Sequence, residues 1–362
     1  MNRFFLFTTA GLSAVCLTGC STIPDSEPET RSLKIGVSVY DQYDTFVSGE
    51  ISHLKAYARE KEKDWDLTIT LDVQDANKNQ MTQNDQMDDF IKRGYDIACI
   101  NLVDRTDASS IIEKAKNADV PVIFFNRELV EEDLQRWERL YYVGADAFES
   151  GVIQGEILSE VCEEDFASID KNGDNVLQYV MLEGEAGHQD SMIRTLYVID
   201  TIKSNGYQVE KLGDEIANWN RSQAETKMNQ FLKNFGDTIE VVLTNNDDMA
   251  LGAADALEQE FGTISRAKDN RTPWPVILGI DGTEVGLEAV RDGRLSGTVL
   301  NDARGQASAM LELAYSVVFG TELPSEIDLI DGKYIRLPYQ KVTEDNVDEI
   351  IWDMQLSNSA QE

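Results

Sequence analysis

Histidine is scarce in this chain, with two in 362 residues, and basic side chains are outnumbered, 32 against 66 acidic ones. No Gly-x-Ser-x-Gly elbow, His-Glu-x-x-His pair, phosphate loop or Gly-x-Gly-x-x-Gly fingerprint occurs, so the usual catalytic constellations are missing. A hydrolase using His188, Asp190 and a bound calcium ion is the enzyme that could still be drawn. The chain is read instead as a non-enzyme. The net charge of −34 repels phosphates at long range, which argues against nucleic acid as a partner and favours neutral or cationic ligands. Of four cysteines, Cys16 and Cys20 fall in the first twenty residues, Cys99 in an apolar run and Cys162 near a helix end, and no disulfide framework follows. The apolar run from Phe4 to Leu17 is short of the roughly 20 residues that a spanning helix needs.

That run follows Arg3 and ends at Leu17-Thr18-Gly19-Cys20, the pattern of an export signal closing on a small residue. The four residues resemble the bacterial lipobox, which implies removal of residues 1–19 and acylation of Cys20, holding the protein at the outer face of the cell membrane. Residues 20–32, with Pro24, Pro28 and three acidic side chains, suit a flexible tether.

The roughly 340 residues that remain are too many for one core and comfortable for two lobes. Apolar, β-rich runs alternate with amphipathic stretches: 34–40, 67–73, 97–103 and 122–125 read as strands, and the pattern restarts at 141–143, 177–182, 207–212, 241–244, 276–280 and 295–300. Between the first two, Ile51, Leu54 and Ala58 show helical spacing. The pattern predicts an α/β protein with two mostly parallel sheets flanked by helices. In such sheets ligands sit beyond the carboxyl ends of the strands. Function should therefore concentrate in the polar residues that follow each run.

Those positions hold Asp41 to Phe46, Asn101, the loop Gly184 to Asp190 with Arg194 one turn on, Trp219, Asn245-Asn246-Asp247, Asp281 and Asn301-Asp302. Planar Asp, Asn, Arg and His groups can accept from and donate to several hydroxyls at once, while Phe46 and Trp219 offer flat apolar faces. A sugar, with an apolar C–H face and a rim of hydroxyls, is complementary to that set.

The runs Ile35-Gly36-Val37-Ser38-Val39-Tyr40, Ile100-Asn101-Leu102-Val103-Asp104, Gly184-Glu185-Ala186-Gly187-His188, Asn245-Asn246-Asp247 and Gly297 to Asp302 resemble the bacterial galactose/glucose-binding proteins of the periplasmic-binding-protein family. The resemblance implies a two-lobed fold with a three-strand hinge. The first lobe would be 33–125 plus 302–334, the second 126–301 plus 335–357, with a tail at 358–362. It implies sugar contacts from Asp44, Phe46, Asn101, His188, Asp190, Arg194, Trp219, Asn246, Asp281 and Asn301. The function implied is that of the substrate-binding component of an ABC sugar importer, a monomer that closes on D-galactose or D-glucose and delivers it to a membrane permease. A sensor that presents the bound sugar to a chemoreceptor or kinase is the alternative. A sugar-responsive repressor, which shares the architecture, would carry an N-terminal helix-turn-helix where this chain has an export signal.

Asp170, Asn172, Asp174 and Gln178 place oxygen side chains at positions 1, 3, 5 and 9 of a calcium-type loop, with the Val176 carbonyl at position 7. Asn175 stands at the usual glycine and position 12 has no Glu, so the loop fails as an EF-hand. The family resemblance supplies the missing carboxylate from a distant strand, at Glu240, and implies a structural calcium ion. The charged segments 128–139 and 262–275 read as surface insertions.

Overall fold

The computed structural model describes residues 1, 31–262 and 274–359. The export signal, Cys20 and most of the tether lie outside the described residues, as do 263–273 of the second insertion and the end of the tail. The chain begins β1 (Ser32–Val39), α1 (Thr45–Trp65), β2 (Thr68–Asp75), α2 (Gln80–Lys92), β3 (Ile97–Ile100), α3 (Ser109–Ala118), β4 (Val122–Phe125), α4 (Glu131–Leu134) and β5 (Leu140–Ala145). It continues α5 (Ala147–Ile169), β6 (Val176–Glu183), α6 (Gln189–Ser204), β7 (Gln208–Ile216), α7 (Arg221–Phe235), β8 (Val241–Thr244), α8 (Asp247–Phe261), β9 (Val276–Leu278), α9 (Glu284–Arg291) and β10 (Thr298–Asn301). It ends α10 (Ala303–Phe319), β11 (Tyr334–Leu337), β12 (Tyr339–Val342) and α11 (Val347–Ser359).

The first sheet has the order β11-β5-β4-β3-β1-β2 and is parallel throughout. Its inner strands, such as Ile97–Ile100 and Val122–Phe125, are buried at every position, because helices cover both faces. The second sheet, β7-β6-β8-β9, is also parallel. Single bridges, Leu278 to Gly297 and Asp281 to Leu300, carry it on to β10, with which β12 pairs antiparallel. The two-lobed α/β architecture expected from the sequence is present.

The lobe boundaries differ from the expectation. β5 pairs with β4, and β11 with β5, so residues 126–145 and 335–337 belong to the first lobe and not the second. An isolated strand carries no mark of its partner, and pairing decides which lobe it joins. The chain therefore crosses between lobes at single residues: Asp146 between β5 and α5, Asp302 between β10 and α10, and Pro338 between β11 and β12. Asp146 and Asp302 cap the helices they precede, accepting from the backbone N–H of Phe148 and Gly305. Pro338 has no N–H to offer either ladder, a reason for the strand to change sheets there.

α10 packs Ala307, Met310, Leu311 and Ala314 onto the first lobe beside Val47, Ile51 and Leu54 of α1. α11 closes the second lobe with Val347 and Ile350. Residues 128–139 are more than decoration. Leu129 and Leu134 are buried, and the Lys333 ammonium donates to the carbonyls of Trp137, Glu138 and Leu140, tying the segment to β11.

Candidate functional site

A parallel strand delivers the chain to the helix that follows through a short loop, and the first turn of that helix needs acceptors for its free N–H groups. Three of the sequence-predicted residues serve as those caps: Asp44 accepts from Val47 N–H at 3.0 Å, His188 from Asp190 N–H at 3.1 Å and Asn246 from Met249 N–H at 2.9 Å. Capping fixes each side chain at the mouth of its sheet and leaves its remaining polar atoms facing the space between lobes.

That space is lined from the first lobe by Tyr40, Asp44, Phe46, Asn126 and Arg127, and from the second by His188, Asp190, Arg194, Trp219, Asn246 and Asp281. Eight of the ten predicted residues thus share one pocket. Asn101 does not line it. Its carbonyl oxygen accepts from Tyr40 N–H, and its amide donates to the Phe125 carbonyl and to Asn126, so its capacity is spent inside the first lobe, where it orients Asn126. Asn301 is also outside the pocket. It accepts from Gln306 at 2.6 Å and lines an adjoining groove.

Arg194 organises the second-lobe wall. It donates to the Asn245 carbonyl at 2.7 Å and to the Tyr339 hydroxyl at 3.0 Å, and stands 3.5 Å from Asp190 and 3.7 Å from Asp281. Burial raises both carboxyls above their usual range, and the guanidinium opposes that rise. Burial, and then the charges of Arg127, Arg194 and Arg105, push His188 well below its ordinary value, so the imidazole is neutral. With Nδ1 accepting from Asp190 N–H, Nε2 carries the proton and is a donor.

Trp219 sits edge-on to His188, with ring centroids 5.0 Å apart. Its φ is 61° and that of Asn218 is 53°, a left-handed pair costly for a bulky residue, and Asp281 has φ 122°. Gly184 permits the close approach of the Trp219 ring, because any Cβ there would overlap it.

Tyr40, Asn126 and Arg127 were missed in the sequence, although they directly follow β1 and β4 and the strand-end rule points to them. Tyr40 donates its hydroxyl to Asp44 at 2.5 Å, and Arg127 lies 3.5 Å from the Tyr40 ring centroid. Arg127 donates to the Val103 carbonyl in its own lobe and, across the cleft, to Glu185 at 2.7 Å. Lys78 reaches the same Glu185 at 3.3 Å, and Thr45 donates to Asp248 at 2.6 Å. These interlobe bonds describe a closed arrangement. The Nε atoms of Arg127 and Arg194 are buried and have no hydrogen-bond partner.

The 170–178 loop folds on itself. Asp170 accepts from the N–H groups of Gly173, Asp174 and Asn175, and Glu240 accepts from Lys171 and Gln178 N–H, which seats it against the loop. Asn175 has φ 64°, the left-handed conformation for which that position ordinarily uses glycine. Among the described residues no group of three His, Cys, Asp or Glu side chains is arranged to hold a metal by itself. A cation here would depend on the carboxamides and the Val176 carbonyl as well. Asn172 and Gln178 turn their amide N–H groups to Asp174, and would have to rotate to offer oxygen. With that rotation the donor set fits a hard, oxygen-seeking cation.

Two lobes joined by three crossings and closed on a polar pocket with an aromatic wall from each side define a solute-binding protein. A model of the periplasmic binding protein domain matches residues 35–322, and the chain belongs to that family. It is 35% identical over 321 residues to the D-galactose/methyl-galactoside binding periplasmic protein MglB of Haemophilus influenzae, covering 88% of this chain and 92% of that one. It is 29% identical over 350 residues to a xylitol-binding protein of Mycolicibacterium smegmatis, covering 97% and 88%. Among solved structures, an ABC transporter solute binding protein from Bacillus halodurans with bound myo-inositol superposes with TM-score 0.72 at 26% identity, covering 90% and 99% of the two chains.

Proposed function

We propose that the protein is the sugar-binding component of an ABC importer, closing on a single pyranose such as D-galactose or D-glucose and handing it to a membrane permease. The observation that carries the reading is the pairing of Phe46 from one lobe and Trp219 from the other in one pocket rimmed by Asp44, His188, Asp190, Arg194, Asn246 and Asp281. The 35% identity to a galactose-binding relative supports it. Ligand hydroxyls would donate to the carboxylates and accept from His188 Nε2 and the unused Arg Nε groups, contacts available together only when the lobes meet. Closure is then favoured by the difference in affinity between the two forms.

The test is a titration of sugar-free protein with glucose, galactose, ribose and arabinose, read by heat and tryptophan fluorescence. Saturable hexose binding that Trp219→Ala weakens by ~1–3 kcal/mol is expected, the scale of one buried aromatic. Silence across all four sugars would leave the fold and remove the ligand.

A calcium ion held by Asp170, Asn172, Asp174, the Val176 carbonyl, Gln178 and Glu240 completes the proposal as a structural element that stabilises the folded state by mass action. Chelation should lower the melting temperature, and an unchanged midpoint at low free calcium would remove the ion. Export with acylation at Cys20 is the remaining part. Cys20→Ser should shift the protein from the membrane fraction to the soluble one, and unaltered membrane retention would contradict the anchor.

A further inference from the structure

The charges around the sugar pocket do not balance. Arg194 is one cation shared between Asp190 at 3.5 Å and Asp281 at 3.7 Å, and Arg127 is committed to Glu185 at 2.7 Å. Asp44 also lines the pocket; its oxygens accept from the Tyr40 hydroxyl and Val47 N–H, and among the described residues it has no ion-pair partner. Asp248 reaches the same corner from the other lobe. It accepts at 2.6 Å from the hydroxyl of Thr45, the residue next to Asp44, and it too has no ion-pair partner among the described residues. Arg221, whose charge is felt at Asp248, is held by Asp255 through two bonds of 2.6 and 2.8 Å.

Closure therefore gathers Asp44, Asp248 and Asp281 around one shared cation. Burial raises the Asp281 carboxyl, Arg194 opposes the rise, and the charges of Asp247, Asp44 and Asp248 add to it. Burial and then Asp44 raise Asp248 in the same way, against the Thr45 hydrogen bond. That a ligand fills this space rests on a separate observation: Arg194 is 4% exposed, and its Nε is buried without a hydrogen-bond partner. A neutral hexose would satisfy that donor and give hydroxyl protons to the carboxylates, but would leave their charge in place. An ammonium group offers three donors and supplies the missing charge as well. Its lost hydration is offset where carboxylates are already drawn out of water and unpaired.

We infer that the pocket takes amino sugars in preference to neutral hexoses: a pyranose carrying one protonated amine in place of a hydroxyl, with the ammonium at the corner formed by Asp44, Asp248 and Asp281. The inference rests on the sugar reading above and narrows it to a cationic class of sugar.

Calorimetric titration of sugar-free protein with D-galactose, D-glucose and each of their amino-deoxy derivatives, at neutral pH where the amine is largely protonated, tests it. At least one derivative should bind about ten-fold more tightly than its parent hexose, the difference between a charge-assisted hydrogen bond and a neutral one. Asp248→Asn keeps an oxygen for Thr45 and removes the charge, so the ratio of amino-sugar to hexose affinity should fall about five-fold. Hexose binding by the variant shows that it folds. Amino sugars that bind no more tightly than the parent hexoses, with hexose binding normal, would overturn the inference and leave the sugar reading intact. A preference undiminished in Asp248→Asn would overturn it too, since the amine would then lie away from that corner. Absence of binding by hexoses and amino sugars alike would take away both readings.

Discussion

The two lobes each bring a buried arginine to the pocket, and they neutralise it differently. Arg194 is held within its own lobe by the Asn245 carbonyl, Tyr339, Asp190 and Asp281. Arg127 has only a carbonyl and the Tyr40 ring in its own lobe, and its carboxylate partner Glu185 lies across the cleft. The second lobe is thus a preassembled polar wall, whereas the first acquires its charge balance on closing. A ligand would meet the second lobe first and be covered by the other.

The contrast extends to the interiors. Buried acids of the second lobe are paired: Asp247 accepts from Thr298 and from both the N–H and hydroxyl of Thr283. In the first lobe Glu50 of α1 is fully buried, and neither carboxyl oxygen has a hydrogen-bond partner. Burial, and then the Asp44 charge, push it up to about 8.

Arg194→Ala attacks the preassembled wall and should have the largest effect. Asp190 and Asp281 would lose their cation, and a loss of ~3–5 kcal/mol in hexose affinity is expected by calorimetry. A variant that binds within a few-fold of the parent would show that the second lobe does not organise the site.

The unpartnered Glu50 of the first lobe gives a pH signature, unlike buried Glu312, which holds Tyr57 and Lys61. Glu50 is protonated when folded up to about 8 and ionises near its ordinary value, 4.5, when unfolded. Its contribution is fully present below 4.5, declines as pH rises from there toward 8, and is level above, by up to about 5 kcal/mol in all. Denaturant melts across that window should show the decline in the parent and a flatter profile in Glu50→Gln. Parallel profiles would mean that Glu50 finds a partner.

The smallest effect is expected from the cross-cleft pair. Glu185→Gln should weaken hexose binding by ~0.5–1 kcal/mol, an effect shrinking at high salt, because the pair forms only on closing and is partly exposed. A salt-independent loss of several kcal/mol would make Glu185 a ligand contact rather than a closing one.

β1 to β10 and eight of the ten expected sugar contacts were legible because strand ends and caps are local patterns, and because the family resemblance fixed their register. What was not legible depends on partners distant in sequence. β5 joins the first sheet through β4 and β11, which no residue of 140–145 announces. Asn101 matches the family position, yet its three hydrogen bonds turn it inward. Arg127 follows a strand as the others do, but its role emerges only when Tyr40 and Glu185 are brought to it.

The three one-residue crossings also govern the order in which the chain can be completed. Until residues 303–337 have been made, the first sheet lacks β11 and its α1 face lacks α10. Until 339–359 have followed, the second lacks β12 and α11. Neither lobe is a contiguous stretch, so an N-terminal fragment ending at Ala145 is a five-stranded sheet with the α1 face only partly covered. A chain emerging from the ribosome, or threaded through a membrane pore, stays short of either finished lobe almost to its last residue. Loss of everything from α10 onward would leave both halves unfinished rather than one.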